Sequence, residues 1–192
     1  MKKVSLSIIV IIASCAVSYA EPLVLDKTLA KQIITSRVEY LEDKTGDLTI
    51  EDIVSPKFRW SRTKEKAFNF GFTPSVYWFR IPVVNKEKKD LNWFMEIDYP
   101  MIDFIKLYIP GEKGAFTVKE TGDHHPFSQR DIKDKTFIFS LDSRPGASTY
   151  FMRVQTSSSV NFQVLAWLPT TYFNNVFYDL PLFWIYYGLM MV

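Results

Sequence analysis

VYWFRIPVVNKEKKDLNWFMEI, residues 76–97, is the stretch that decides the fold, because two alternating segments flank a polar turn in it. In residues 76–84 Tyr77, Phe79 and Ile81 share one face of an extended chain, and the same period of two returns in residues 91–97. Because successive side chains of a strand point to opposite faces, this period predicts two strands that each have a buried face. Residues 85–90 mix both charge signs, which is typical of a solvated turn.

Further short segments of strand character follow between Gly, Pro, Asn and Asp residues. The aromatic content of 16% also favours strands. A short helix, residues 50–54, is predicted after Thr49, whose hydroxyl can cap it, and Pro56 ends it. We therefore predict an all-β chain, an antiparallel sandwich or jelly roll of two packed sheets. The other predicted strands are residues 37–43, 104–109, 115–119, 136–141, 149–156 and 161–168.

The N-terminus is typical of a secretory signal peptide. Lys2 and Lys3 precede an apolar run, and the small residues Ser18 and Ala20 fit the cleavage site of signal peptidase before Glu21. Export to the periplasm is the prediction. An alternative is a lipobox ending at Cys15, which would then be lipidated; it is the only cysteine, so the remaining chain has no disulfide.

The other end predicts a membrane helix. Residues 180–192 carry no charge, Pro181 suits the first turn of a helix, and Trp184 and Tyr186 suit a membrane interface. The alternative is a buried terminal strand or helix of a soluble protein. We predict a leader at residues 1–20, a lead-in at 21–36, a periplasmic sandwich at 37–169, a juxtamembrane linker at 170–179 and the start of a transmembrane helix at 180–192.

Composition and motifs exclude several functions. The net charge of +2 comes from Lys2 and Lys3 in the leader, so the rest is neutral and lacks the basic surplus of a nucleic-acid-binding protein. The sequence has no nucleophile elbow, phosphate-binding glycine loop or zinc-protease motif. We expect no enzymatic activity and no cofactor. His124 and His125 are adjacent and point to opposite sides of an extended chain, so no metal site is predicted.

Candidate binding residues are Arg and aromatic side chains within strands and the polar residues of one loop. Arg80 and Arg153 lie in aromatic strands, where an unpaired guanidinium is costly, so we expect an acidic partner such as Asp98 or Asp103. On that interpretation Arg153→Ala fails to fold; the alternative is contact with a sugar or carboxylate. Trp78 is either a stacking platform or a core residue. The candidate ligand-binding residues are Trp78, Arg80, Asp98, Tyr99, Asp123, His124, Arg130 and Arg153.

Several motifs in order resemble a known family. They are Tyr40-Leu41-Glu42-Asp43 with Leu48-Thr49, Tyr77-Trp78-Phe79-Arg80, Trp93 with Asp98-Tyr99-Pro100, Leu107-Tyr108, Thr121-Gly122-Asp123 with Pro126-Phe127 and Arg130, Tyr150-Phe151-Met152-Arg153-Val154, and Tyr186-Tyr187-Gly188. In this order they resemble the type 2 extracellular domain of bacterial seven-transmembrane receptors with diverse intracellular signalling modules. The resemblance spans about residues 37–192.

The resemblance implies a jelly roll similar to carbohydrate-binding modules and a receptor that carries its catalytic output elsewhere. The expected function is a periplasmic sensor domain in the inner membrane that recognises a small ligand such as a carbohydrate, with a dimer or a partner sensor protein as a possible assembly. A secreted or membrane-anchored carbohydrate-binding or adhesion domain without signalling is the alternative.

Overall fold

The computed structural model describes residues 21–176 and residue 190, and strands dominate this part of the chain. The predicted leader, residues 1–20, and all of the predicted membrane segment except Met190 lie outside the described residues. In the described part no helix combines the length and apolar character that a membrane span requires. The strands are β1 (Leu23–Leu25), β2 (Gln32–Ile33), β3 (Glu39–Asp43), β4 (Ser61–Arg62), β5 (Phe68–Phe72), β6 (Val76–Asn85), β7 (Leu91–Ile97), β8 (Phe104–Pro110), β9 (Phe116–Thr121), β10 (Phe137–Ser143), β11 (Gly146–Gln155), β12 (Ser159–Phe162) and β13 (Val164–Trp167). Helix α1 (Ile50–Ile53) and 3₁₀ turns at Thr35–Arg37, Glu112–Gly114 and Phe127–Gln129 connect them, and residues 169–176 are also helical.

Two sheets pack face to face, as the predicted sandwich requires. The larger sheet has the order β4-β3-β6-β11-β8-β9, with β1 beside the end of β6, and the smaller sheet has the order β10-β7-β13-β2. Strands β5 and β12 form a separate antiparallel pair. The β1–β6 pairing is parallel, whereas the other pairings are antiparallel.

The main core lies between the two sheets and uses the alternating residues of β6 and β7. Phe79 and Ile81 of β6 and Trp93 and Met95 of β7 belong to one buried cluster. The opposite face of β6 is also covered, because Trp78 packs in a second cluster with Ile53 of α1. Each such fully buried side chain contributes about 1.5–3 kcal/mol relative to an exposed one.

The predicted strands are present with shifted boundaries. Residues 35–37 form a 3₁₀ turn, so β3 begins at Glu39 rather than at Arg37. The single strand predicted over residues 161–168 is two strands, because β12 pairs with β5 and β13 pairs with β7. Helix α1 begins after Thr49 as predicted, and the Asp52 carboxylate accepts hydrogen bonds from the Thr49 N–H and hydroxyl.

Residues 21–36, which were predicted to precede the sandwich, contribute two strands to it. In the lead-in, residues 21–36, Leu23 and Leu25 of β1 are fully buried in the main core, and β2 extends the smaller sheet. A strand of three residues is too short to show a period of two, which is why the sequence pattern does not reveal it.

The described part of the linker predicted at residues 170–179 is helical and packed against the smaller sheet. Tyr172 lies against Phe94 and Trp167, and its hydroxyl donates a hydrogen bond of 2.5 Å to Asp134 Oδ2. Burial and this hydrogen bond raise the pKa of the Tyr172 hydroxyl, which therefore remains a donor at neutral pH. The helical residues are thus attached to the outer face of the smaller sheet.

Asp43 fixes the turn that leads from β3 into α1. Its side chain is buried, and its carboxylate accepts hydrogen bonds from the N–H groups of Thr45, Gly46 and Leu48 and from the Thr45 hydroxyl. Burial alone raises the pKa of the Asp43 carboxyl, but these hydrogen bonds outweigh it and hold the pKa below its ordinary value. The turn therefore depends on an ionised side chain.

Asp43→Asn is expected to lower the free energy of unfolding by about 2 kcal/mol, because the amide nitrogen cannot accept the N–H bonds that a carboxylate oxygen receives. The pKa is lower in the folded chain, so the unfolded chain binds more protons as the pH falls and stability is lost below about pH 4. Asp43→Asn should lose less of its free energy of unfolding between about pH 7 and about pH 3. Urea unfolding at about pH 7 and about pH 3 measures both effects, and an identical pH dependence in the two chains would contradict this role.

Candidate functional site

Trp78, Arg80 and Arg153 lie on the outer face of the larger sheet. Trp78 is fully buried beneath α1, so its ring offers no face to a ligand. Arg153 faces Trp78 across β6 and β11 and donates hydrogen bonds to Gln155 Oε1 at 3.1 Å and to the Gly46 carbonyl at 3.3 Å. This face is therefore part of the packing.

Arg80 is paired with a carboxylate, as expected, but the partner is Glu39 rather than Asp98 or Asp103. Arg80 donates through Nε and Nη2, each at 2.6 Å, to Glu39 Oε2, and Arg62 contacts Glu39 Oε1 at 3.0 Å. Glu39 stands opposite Arg80 in the β3–β6 register, which explains the pairing. The Arg80 guanidinium also lies 4.6 Å from the centre of the Trp60 ring. Neither Asp98 nor Asp103 takes part, since their carboxylates are used in the loops.

Asp98 and Tyr99 connect the end of β7 to neighbouring segments. Asp98 Oδ1 accepts a hydrogen bond of 2.6 Å from the Gln163 N–H, at the point where the chain passes from β12 to β13. Tyr99 is half-buried against the main core. Both side chains therefore hold the loop of residues 98–103 in place.

Arg130 has a similar structural role in the loop before β10. Its Nη1 donates to the carbonyls of Asp134, Lys135 and Thr136, and its guanidinium lies 4.5 Å from the centre of the Phe137 ring. The loop of residues 131–136 is therefore folded around Arg130.

Asp123 and His124 pack beside Asp103 and Phe104 at one end of the sandwich. The Asp123 N–H donates to the Ile102 carbonyl at 2.8 Å, and the His124 ring meets the Phe104 ring edge-on at 5.1 Å. This close approach requires glycine at residue 122: its φ is +150°, and an added Cβ would lie 1.9 Å from the Asp103 carbonyl oxygen. Residues 102–104 and 122–124 thus pack together and form the rim of the sandwich.

Asp103 anchors this rim to a third loop. Its carboxylate accepts hydrogen bonds from the Ser157 N–H at 2.7 Å and from the Thr156 hydroxyl at 3.1 Å. Burial alone raises the pKa of the Asp103 carboxyl, but the hydrogen bonds from Ser157 and Thr156 prevail and the pKa lies below its ordinary value. Asp103 is therefore ionised at neutral pH.

Asp103, Asp123 and His124 could together hold a cation, since each offers a ligand atom and these atoms lie within 4.8 Å of one another. The sequence predicts no metal site, because the adjacent His124 and His125 point to opposite sides of an extended chain. Exposed acidic groups of this kind are common without an ion, and Asp103 already accepts hydrogen bonds, so we assign no metal site.

A groove of about 520 Å³ opens beside this rim. Three segments that are distant in sequence line it, namely residues 72–74, 103–104 and 155–157. Phe72 is 82% exposed and Phe104 is partly exposed, while the side chains of Thr73, Gln155 and Ser157 add polar atoms. Exposed rings beside hydrogen-bonding groups are suited to a small polar ligand that has an apolar face.

None of the eight candidate ligand-binding residues predicted from the sequence lines this groove. From the sequence, Asp123 and His124 were candidate ligand contacts, Asp103 was a candidate partner of an arginine, and residues 155–159 were interpreted as a loop without a role. The aromatic alternation of residues 68–72 ending in Thr73-Pro74 is the signal that could have indicated an exposed ring at a turn.

Comparison with known proteins supports the predicted family. The model of the 7TMR-DISM extracellular 2 family matches residues 35–168. This range includes every described strand except β1 and β2. Among curated proteins none matches the chain. Because the match covers most of the chain and its folded core, the chain belongs to the 7TMR-DISM extracellular 2 family, the extracellular sensor domains of membrane receptors.

Proposed function

We propose that this chain is a periplasmic sensor domain that binds a small polar ligand, such as a carbohydrate, in the groove formed by residues 72–74, 103–104 and 155–157. The observation that carries the proposal is the exposed Phe72 ring at the edge of a groove with polar side chains. Sugars are bound by stacking on aromatic rings together with directional hydrogen bonds. The groove volume lies in the range of about 300–1,000 Å³ that is typical of ligand sites.

In this proposal the domain recognises its ligand without converting it. The leader exports the chain, residues 180–192 begin the first membrane helix in the inner membrane, and the catalytic output belongs to another part of the receptor. Ligand binding changes signalling only if the ligand binds one receptor state better than another, and about 1–3 kcal/mol of coupling is typical. The family supports this function over an adhesion domain without signalling.

Phe72→Ala tests the groove. We expect the full chain, purified in detergent, to bind at least one member of a glycan panel, and the variant to bind it about tenfold more weakly because the stacking surface is lost. Phe173→Ala is the matched control, since Phe173 is also an exposed ring but lies against Phe94 on the smaller sheet. Titration calorimetry gives the affinities. Equal affinities in wild type and Phe72→Ala, or no glycan bound, would refute the proposal.

A further inference from the structure

A second pocket, of about 470 Å³, lies between the smaller sheet and the helical residues 169–176. Glu96 of β7 and Trp167 of β13 form its sheet side, and Tyr172 and Val176 form its helical side. It shares no lining residue with the groove of residues 72–74, 103–104 and 155–157. It is therefore a separate candidate site.

The two carboxylates of this pocket are already engaged by the protein. Glu96 accepts hydrogen bonds from the Trp167 Nε1–H at 2.7 Å and from the Thr136 hydroxyl at 3.0 Å. Asp134 accepts from the Tyr172 hydroxyl and from the Thr136 N–H. These hydrogen bonds hold the walls of the pocket together.

Three lysines also line the pocket, namely Lys31, Lys133 and Lys135. Lys31 Nζ lies over the Trp167 ring at 4.7 Å from its centre, and Lys133 Nζ donates to the Ser128 carbonyl at 2.9 Å. Lys135 also lines the pocket and is exposed. The pocket lining thus carries three lysines and two carboxylates, a formal charge of 3 − 2 = +1, and Phe127 and Val176 add apolar surface. This combination favours a single negative charge on an apolar body.

The same pocket is connected to the chain that continues toward residue 180. Tyr172 is buried, and the contacts of its ring with Phe94 and Trp167 attach the helical residues to the sheet. A ligand seated between Trp167 and Val176 contacts both sides of this attachment. The free energy of ligand binding therefore depends on whether residues 169–176 are docked on the smaller sheet.

We propose that this pocket binds a small organic monoanion, a carboxylate or a phosphodiester on an apolar body, and that its occupancy stabilises the docked position of residues 169–176. The lysine ammonium groups hold the oxyanion and the aromatic rings hold the apolar part. The coupling to signalling rests on the proposed sensor function, whereas binding of the anion does not. The oxyanion can come from a free solute or from an anionic lipid.

The test uses phenylacetate as the anionic probe and 2-phenylethanol as its neutral analogue, each titrated into the full chain in detergent. We expect phenylacetate to bind, and the double variant Lys31→Gln with Lys135→Gln to bind it about tenfold more weakly. Lys64→Gln is the control, because Lys64 is an exposed lysine outside the pocket. A thermal melt confirms that each variant is folded.

Hydrogen exchange supplies the second measurement. Phenylacetate should slow amide exchange in residues 169–176 by about fivefold and leave residues 72–74 unchanged, so a failure here is distinct from a failure of the glycan experiment. Slowing in phosphatidylglycerol nanodiscs but not in phosphatidylcholine nanodiscs, without added probe, would identify a lipid as the source of the oxyanion. Equal binding of the neutral analogue, an unaffected double variant or the absence of phenylacetate binding would overturn the proposal.

Discussion

Glu39→Gln is expected to destabilise the folded chain by about 3 kcal/mol, because a buried carboxylate that pairs with two guanidinium groups is replaced by a neutral amide. Glu39 is only 3% exposed, and Arg80 and Arg62 contact its two oxygens at 2.6 Å and 3.0 Å. The side-chain amide N–H of the glutamine would face an N–H group of Arg80 or Arg62, so that two hydrogen-bond donors would oppose each other. Urea unfolding monitored by circular dichroism measures the loss.

Arg153→Ala serves as the contrasting variant. The structure gives Arg153 hydrogen bonds to a side-chain amide and a backbone carbonyl, and its side chain is partly exposed. We therefore expect a loss of no more than about 1 kcal/mol, in place of the unfolding that a buried ion pair with Asp98 or Asp103 predicts. A larger loss in Arg153→Ala than in Glu39→Gln would contradict this description of the sheet face.

Gly122→Ala is the second variant with a large expected effect. The added Cβ would lie 1.9 Å from the Asp103 carbonyl oxygen, and the φ of +150° is one that L side chains rarely adopt. Backbone strain and overpacking together predict a loss of about 3 kcal/mol in the free energy of unfolding. Because Asp103 lines the groove, glycan binding should weaken as well.

Gly114→Ala is the matched control for Gly122→Ala. Gly114 has a φ of +80°, but nothing lies within 4 Å of its added Cβ, so only the backbone strain applies. Its expected loss is about 1 kcal/mol, and glycan binding should not change. Urea unfolding measures the loss of unfolding free energy in both variants. Equal losses would contradict the close contact that is described between residue 122 and Asp103.

The sheets were predictable where a segment shows its own period. Residues 76–85 and 91–97 carry enough alternating apolar residues to identify β6 and β7 and their buried faces. Strand β1 could not be identified in this way, because it has three residues and pairs with the distant end of β6. The break between β12 and β13 could not be predicted either, because it depends on the hydrogen bond from the Gln163 N–H to Asp98.

The site was less predictable, because its residues meet only through the fold. Glu39 reaches Arg80 because β3 pairs with β6 in one register, and a shift by one residue would turn Glu39 to the other face. The groove joins residues 72–74, 103–104 and 155–157, and apart from the aromatic alternation that ends at residues 72–74 these segments carry no motif. Sequence reasoning could favour the loop of Asp123 and His124, but it could not show which neighbours that loop would meet.

The measurement that tests the central claim most directly is the location of a bound glycan, mapped by amide chemical-shift changes in the full chain as the glycan from the panel is added. The proposed function predicts that the largest changes fall at residues 72–74, 103–104 and 155–157. Changes centred on Trp60 and Arg80, or no changes with any glycan of the panel, would contradict the claim that this groove is where the sensor domain binds its ligand.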